Sequence, residues 1–172
     1  MSGYVTGILK YADRDTVVQG RVNLVFVINR LLTMMEHKLP KSQSVEVELD
    51  PGLPLIMGDE QGLEVLFKNI ILNSVEASGG TGKILIRASQ VGNEWVTAAV
   101  EDNGCGIEKS RLKKIFDPMY TTKPGSGGRG MGLAISREIM QAHRGSIEIT
   151  SEPGEGTAVF LTFPAAEEEQ GN

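Results

Sequence analysis

Apolar and polar positions along the chain follow two rhythms, one with the repeat of a helix and one with the repeat of a strand. From Val22 to about Glu36 the apolar residues Val22, Val25, Phe26, Leu32 and Met35 recur mostly three or four apart. This predicts an amphipathic helix, which Pro40 helps to stop. The run SVEVELD sets Val45, Val47 and Leu49 against Glu46, Glu48 and Asp50, as in a half-buried strand, and Pro51, Gly52 and Pro54 end it. A second helix is expected from a cap at Asp59 to about Ala77, with Leu63, Leu66, Phe67 and Ile70 as its core stripe and Gly79 and Gly80 as terminators. KILIRAS and EWVTAAVED are strand-like and are separated by the polar stretch QVGN, which predicts an antiparallel hairpin. GSIEITS and TAVFLTF form a second such pair around Pro153, Gly154 and Gly156. Between the hairpins, a Gly-rich stretch from about Tyr120 to Gly132 leads into a helix near Leu133 to His143. Five strands and three main helices in this order predict an α+β fold: a two-layer α/β sandwich whose mixed five-stranded sheet carries its helices on one face. Residues 1–20 read as the end of a preceding segment, 21–164 as one domain, and 165–172, with the run EEEQGN, as a disordered tail.

Composition narrows the function classes. A length of 172 residues suits one domain with one ordinary core. The formal charge of -5, from 17 basic and 22 acidic residues, leaves no electrostatic footprint for nucleic acid or an anionic membrane. The lone cysteine, Cys105, has no internal disulfide partner, and the N-terminus lacks the features of a signal peptide. No apolar stretch approaches the roughly 20 residues that span a bilayer. The cytosol is the expected compartment, with any membrane attachment of a parent protein lying elsewhere.

The chemistry concentrates in four places. Asn69, Asn73 and Glu76, at i, i+4 and i+7, share one face of the second helix, roughly opposite Leu63 and Leu66. Asn carbonyl oxygens suit a hard cation such as magnesium, although for these three residues alone a solvated helix face is the simpler account. DNGCGI, residues 102–107, follows a strand: Asp102 offers a carboxylate to an exocyclic amine, and Gly104 and Gly106 let backbone approach a flat ligand. An ordinary Asp-Asn-Gly turn fits that stretch too. IFDPMYTTK, residues 115–123, precedes GGRGMGLAIS, residues 127–136, whose glycines free backbone amides to face phosphate oxygens at a helix N-terminus. The latter is neither a Walker sequence nor a dinucleotide fingerprint, and a flexible surface loop would look the same.

Taken together, KNIILNSVEA, DNGCGI, IFDPMYTTK, GRGMGL and SEPGEGTAVF resemble, in order and spacing, the N, G1, F and G2 boxes and closing hairpin of histidine-kinase catalytic domains, in the GHKL superfamily with its Bergerat-type fold. The resemblance covers roughly residues 20–164, and TTK with NSVEA is most similar to the nitrogen-regulation subgroup. It implies ATP and magnesium as cofactors, with Asn73 as the metal ligand and Asn69 one turn earlier. Asp102 would read the adenine amine, Ala77, Gly104, Gly106 and Ile107 would border the base, and Thr157 would support Asp102 through a hydroxyl or water. Tyr120, Thr121, Thr122 and Lys123 would flank the lid, and Gly128, Arg129, Gly130, Met131, Gly132 and Leu133 would receive the phosphates, with Lys123 and Arg129 adding charge near the terminal one. The catalytic set would be Asn69, Asn73 and Lys123.

Asn69 stands where the gyrase, mismatch-repair and heat-shock-chaperone branches of the superfamily have a glutamate. An amide cannot take a proton from water, so the resemblance implies transfer to a side chain rather than hydrolysis. The acceptor would be a histidine on a separate dimerisation domain, because neither His37 nor His143 matches the family's acceptor motif. GILKYADRD is similar to the tail of that dimerisation hairpin, so the chain is expected to be truncated: a monomer here, a homodimer in the parent, with a response-regulator receiver domain as the parent's partner. A serine kinase acting on a regulatory protein and a non-catalytic nucleotide-binding module are the alternatives. The chain should therefore bind magnesium and an adenine nucleotide without labelling itself. Incubation with radiolabelled ATP checks this, and robust acid-labile incorporation into the chain alone would overturn it.

Overall fold

The computed structural model describes residues 20–121 and 130–167. Expectations for 1–19, 122–129 and 168–172 lie outside the described residues. The elements run β1 (Gly20–Val22), α1 (Leu24–Met35), β2 (Ser44–Leu49), β3 (Ile56–Gly58), α2 (Glu60–Ala77), β4 (Lys83–Val91), β5 (Trp95–Asp102), α3 (Lys109–Leu112), α4 (Gly132–Ala142), β6 (Ser146–Glu152) and β7 (Gly156–Pro164).

Five strands form one sheet in the order β2-β4-β5-β7-β6. β2 runs parallel to β4, and the remaining neighbours are antiparallel, so the sheet is mixed as the patterning predicts. Period-2 alternation sends Ile84, Ile86, Val96, Ala98, Val100, Val159, Leu161 and Phe163 to one face, all buried. The helices cover this face. Leu63, Leu66, Phe67 and Ile70 of α2 are buried there, with Ile139 and Met140 of α4 beside them. The opposite face is left open by the described residues and carries Phe160 and the Arg87–Glu101 ion pair. Arg87's guanidinium is raised above its ordinary pKa, chiefly by its hydrogen bond to Glu101.

Helix α1 differs from its predicted stripe. Val22 lies in β1, and the buried residues are Leu24, Val27, Ile28, Leu31 and Met35. The segment LVFVINRLL is apolar on nearly every side, so periodicity alone admits several faces. The start is set by Asn23, whose side chain accepts from the Phe26 amide at 3.0 Å. Phe26, predicted in the core, is 56% exposed and lies under the Arg30 guanidinium, 5.4 Å from its ring centroid. Arg30 in turn pairs with Glu64 and Glu60 of α2, which raise its pKa, the Glu64 hydrogen bond contributing most. Two short strands were not predictable by period: β1 pairs antiparallel with β3. Residues 165–167, expected in the tail, are fastened: the Ala165 and Ala166 amides donate to Glu94 O and Leu55 O at 2.7 and 2.6 Å.

Helix α2 begins as its cap residue predicts, with Asp59 accepting from the Gln61 and Gly62 amides at 3.3 and 3.2 Å. The Asp59 amide itself donates to Nε2 of His143 at 2.9 Å, and His143 Nδ1 lies 2.7 Å from the Ile139 carbonyl. A carbonyl only accepts, so the imidazole is neutral with its hydrogen on Nδ1. His143 is a buried structural residue that ties the end of α4 to the start of α2. A Cβ on Gly58 would lie 2.5 Å from His143 Cδ2 and 2.8 Å from Nε2, against a ring held at both nitrogens. Gly58→Ala should therefore cost about 1–3 kcal/mol of stability, the usual penalty for overpacking. Urea unfolding measures this, and an unchanged midpoint would show that the ring yields freely.

Candidate active site

The apolar inner face of the sheet ends in a polar rung. Val100, Val159 and Ile149 stand side by side on β5, β7 and β6; two residues further, Asp102 pairs with Thr157 and Thr157 with Ser151. The period-2 rule keeps all three on the helix-covered side. Asp102 is half-buried, and its Oδ1 accepts from the Gly104 amide at 2.9 Å. Thr157's hydroxyl lies 2.9 Å from Ser151 Oγ, so its direct partner is Ser151 rather than Asp102. An open cleft of about 560 Å³ takes in this rung together with Lys109, Leu112 and the adjoining strand ends, including Glu101, Thr150 and Ala158, while α2 and the loop from Asn103 to Ile107 lie outside its lining. Ser151 is a member of this rung that the motifs do not single out. Its signal was present in GSIEITS, where a hydroxyl continues the inward series Ile147 and Ile149.

The loop after β5 is gripped from both sides. The Cys105 amide donates to Ala77 O, in the last turn of α2, at 3.0 Å, and Cys105 O accepts from the Gly154 amide at 2.8 Å. The Ile107 amide donates to Ser151 Oγ at 2.8 Å. Gly104 is required here because a Cβ would come within 2.6 Å of the Ala77 carbonyl carbon. Gly106, at φ +68°, leaves no room either, since its Cβ would meet Glu152 O at 2.0 Å. The Cys105 side chain is exposed. Ala77, Asp102, Gly104, Gly106, Ile107 and Thr157 are thus brought together.

A second group gathers at the other end of the same helix face. Asn69 is half-buried and its Nδ2 donates to Gly132 O at 3.2 Å, joining α2 to the first residue of α4. Ser136 Oγ reinforces that carbonyl at 2.9 Å. Gly130, at φ +63°, lies against the backbone of Tyr120, whose carbonyl oxygen would be 2.5 Å from a Cβ there. Met131 and Leu133 are half-buried, and Thr121 is exposed. Arg137 places its guanidinium 5.5 Å from the ring centroid of Phe116, tying α4 to the segment before the glycines. Thr122, Lys123, Gly128 and Arg129 lie outside the described residues.

Asn73 stands between the two groups. Its side chain is exposed and makes no hydrogen bond among the described residues, so its amide oxygen is available to a ligand. Asn69, Asn73 and Ala77 follow at four-residue spacing and span about 12 Å at 1.5 Å per residue. A rung of acceptors thus lies at one end of the helix face, backbone and amide groups at a helix N-terminus lie at the other, and an unpartnered amide oxygen, of the kind that suits a hard cation, lies between. No helix among the described residues is long and apolar enough to cross a membrane.

Comparison with known proteins agrees with this geometry. Over 117 residues the chain is 44% identical to the signal transduction histidine-protein kinase AtoS of Escherichia coli strain K12, a match that covers 68% of this chain and 19% of AtoS. The chain therefore spans about a fifth of that relative's length. The solved catalytic domain of histidine kinase ThkA superposes with a TM-score of 0.77 at 27% identity, covering 86% of this chain and 98% of that one. The structure of ThkA in complex with the response regulator TrrA gives 0.77 at 26% identity, over 94% of this chain and 46% of that one. Residues 58–167, from the strand before α2 to the end of the described chain, match the family described as histidine kinase-, DNA gyrase B-, and HSP90-like ATPases, and the chain belongs to that family.

Proposed function

We propose that this chain is the ATP-binding catalytic domain of a two-component sensor histidine kinase, which hands the terminal phosphoryl group of ATP to a histidine on a separate dimerisation domain. The observation that carries the reading is the convergence of the motifs along one face of α2: Asn69 bonded to Gly132 at one end and Ala77 bonded to the Asp102 loop at the other. Asp102 accepts the adenine amine, and the loop from Gly104 to Ile107 lines the base. The amides opening α4 face the phosphates, with the helix dipole behind them. The Asn73 side chain, unpartnered among the described residues, would hold magnesium through its oxygen, and the ion would supply neutralisation of charge on the phosphates. Lys123 and Arg129, outside the described residues, are assigned by the resemblance alone to adding positive charge near the terminal phosphate.

Asn69 separates kinase from hydrolase. Its Nδ2 is occupied by Gly132 O, and an amide oxygen is too weak a base to activate water, so the site favours an incoming side chain. The receiver domain of a response regulator is the next partner of the parent protein, a reading supported by the structure of ThkA in complex with the response regulator TrrA. The domain acts in the cytoplasm, where ATP is available, within a homodimeric parent.

Mixed with a kinase dimerisation hairpin and labelled ATP, the chain should give acid-labile phosphohistidine on the hairpin. Stable phosphoserine on a regulatory protein, with none on the hairpin, would favour the serine-kinase alternative instead. Asp102→Ala should weaken ATP binding by about 1–3 kcal/mol, the cost of leaving a buried donor of the base unpaired. Calorimetry measures it, and parental affinity with selectivity over GTP intact would remove Asp102 from the pocket.

A further inference from the structure

Ser151 touches three polar atoms with one hydroxyl oxygen. Ile107 N lies 2.8 Å away, Gly156 O 2.7 Å and Thr157 Oγ1 2.9 Å. A serine hydroxyl has one hydrogen and two lone pairs. The Ile107 amide only donates, so it uses one lone pair. The Gly156 carbonyl only accepts, so it takes the hydrogen. Thr157 must then fill the second lone pair, and its own hydroxyl hydrogen points at Ser151.

That assignment changes what the cleft offers a ligand. With its hydrogen committed, Thr157 has only lone pairs left to present beside Asp102, its register partner. The Asp102 carboxylate is also an acceptor, with one oxygen already satisfied by the Gly104 amide. The two side chains make a floor that accepts and does not donate. A base with an exocyclic amine there is matched; a base with a carbonyl in that place sets oxygen lone pairs against oxygen lone pairs.

We propose that Ser151 is a positioning residue that sets base specificity: by taking the hydrogen of Thr157 it keeps the floor beside Asp102 acceptor-only, and through Ile107 it holds the base-lining loop at that floor. The proposal rests on the adenine-nucleotide reading above and adds to it a residue outside the motifs. Removing the Ser151 hydroxyl frees the Thr157 hydrogen to turn toward a carbonyl, so discrimination should fall while the fold persists.

The test is calorimetry on the whole chain with magnesium and either ADP or GDP, comparing the parent with Ser151→Ala, Ser151→Thr and Thr157→Val. Ser151→Ala should lower the ratio of ADP to GDP affinity about tenfold, the size of one hydrogen bond. Ser151→Thr, which keeps the hydroxyl, should restore it. Hydrogen exchange at the Ile107 amide should quicken in Ser151→Ala and stay as in the parent in Thr157→Val, a difference that general destabilisation would not produce. An unchanged ADP-to-GDP ratio in Ser151→Ala overturns the proposal. If that variant does not fold, an unchanged ratio in Thr157→Val overturns it equally. A parent that binds neither nucleotide sinks the adenine reading together with the proposal, whereas a parent that binds ADP selectively beside an equally selective Ser151→Ala sinks only the role of Ser151.

Discussion

Burial of one face of α2 against the sheet is the interaction on which the rest depends. Leu63, Leu66, Phe67, Ile70 and Ile71 are all essentially inaccessible to solvent, and each apolar side chain of this size is worth about 1.5–3 kcal/mol when fully buried. That stripe fixes the rotation of the helix about its own axis. Once it is fixed, Asn69, Asn73 and Ala77 have no freedom of direction: a helix with one face committed presents the remaining faces as a consequence. The polar row is therefore held rigidly without contributing to the core. His143 completes the fixing from the other end, because its bond to the Asp59 amide satisfies a donor at the start of the helix and links it to α4.

Close backbone approach supplies the second constraint. The loop after β5 lies between the last turn of α2 and the turn joining β6 to β7, and its amide and carbonyl groups are bonded on both sides. A loop with satisfied backbone groups keeps its shape without regular structure. Gly104 and Gly106 allow this because neither neighbour leaves room for a side chain. The segment is thus irregular in conformation yet fixed in place, as the base-lining role proposed for it requires.

The two constraints meet in the rung of Asp102, Thr157 and Ser151. An antiparallel register puts residues far apart in sequence directly opposite one another, so three strands contribute one side chain each to a single line. Two rungs further in, the same positions are apolar and close the core. The change from Val100, Val159 and Ile149 to Asp102, Thr157 and Ser151 marks where the core ends and the cleft begins.

Much of this was legible in the chain itself. Alternation in KILIRAS, EWVTAAVED and TAVFLTF identified the strands and their inner faces, because a period of two leaves only one assignment once a face is apolar. Asp59 and the pair Gly79 and Gly80 marked both ends of α2, because capping is a local hydrogen-bonding problem solved by local residues. The series of boxes gave the family. The stripe of α1 was not legible, since LVFVINRLL offers several apolar faces and only packing, with the Asn23 cap, chose one. Nor were β1 and the Ala165–Glu167 segment, whose order comes from pairing with distant backbone around Leu55–Gly58. Ser151 belongs to the same class: its residue type and inward position could be read in sequence, but its three partners could not. Local periodicity and caps determined the elements and the residues that bear chemistry; the tertiary structure alone decided which of them share a hydrogen bond, because strand register and helix docking join residues that sequence holds dozens of positions apart.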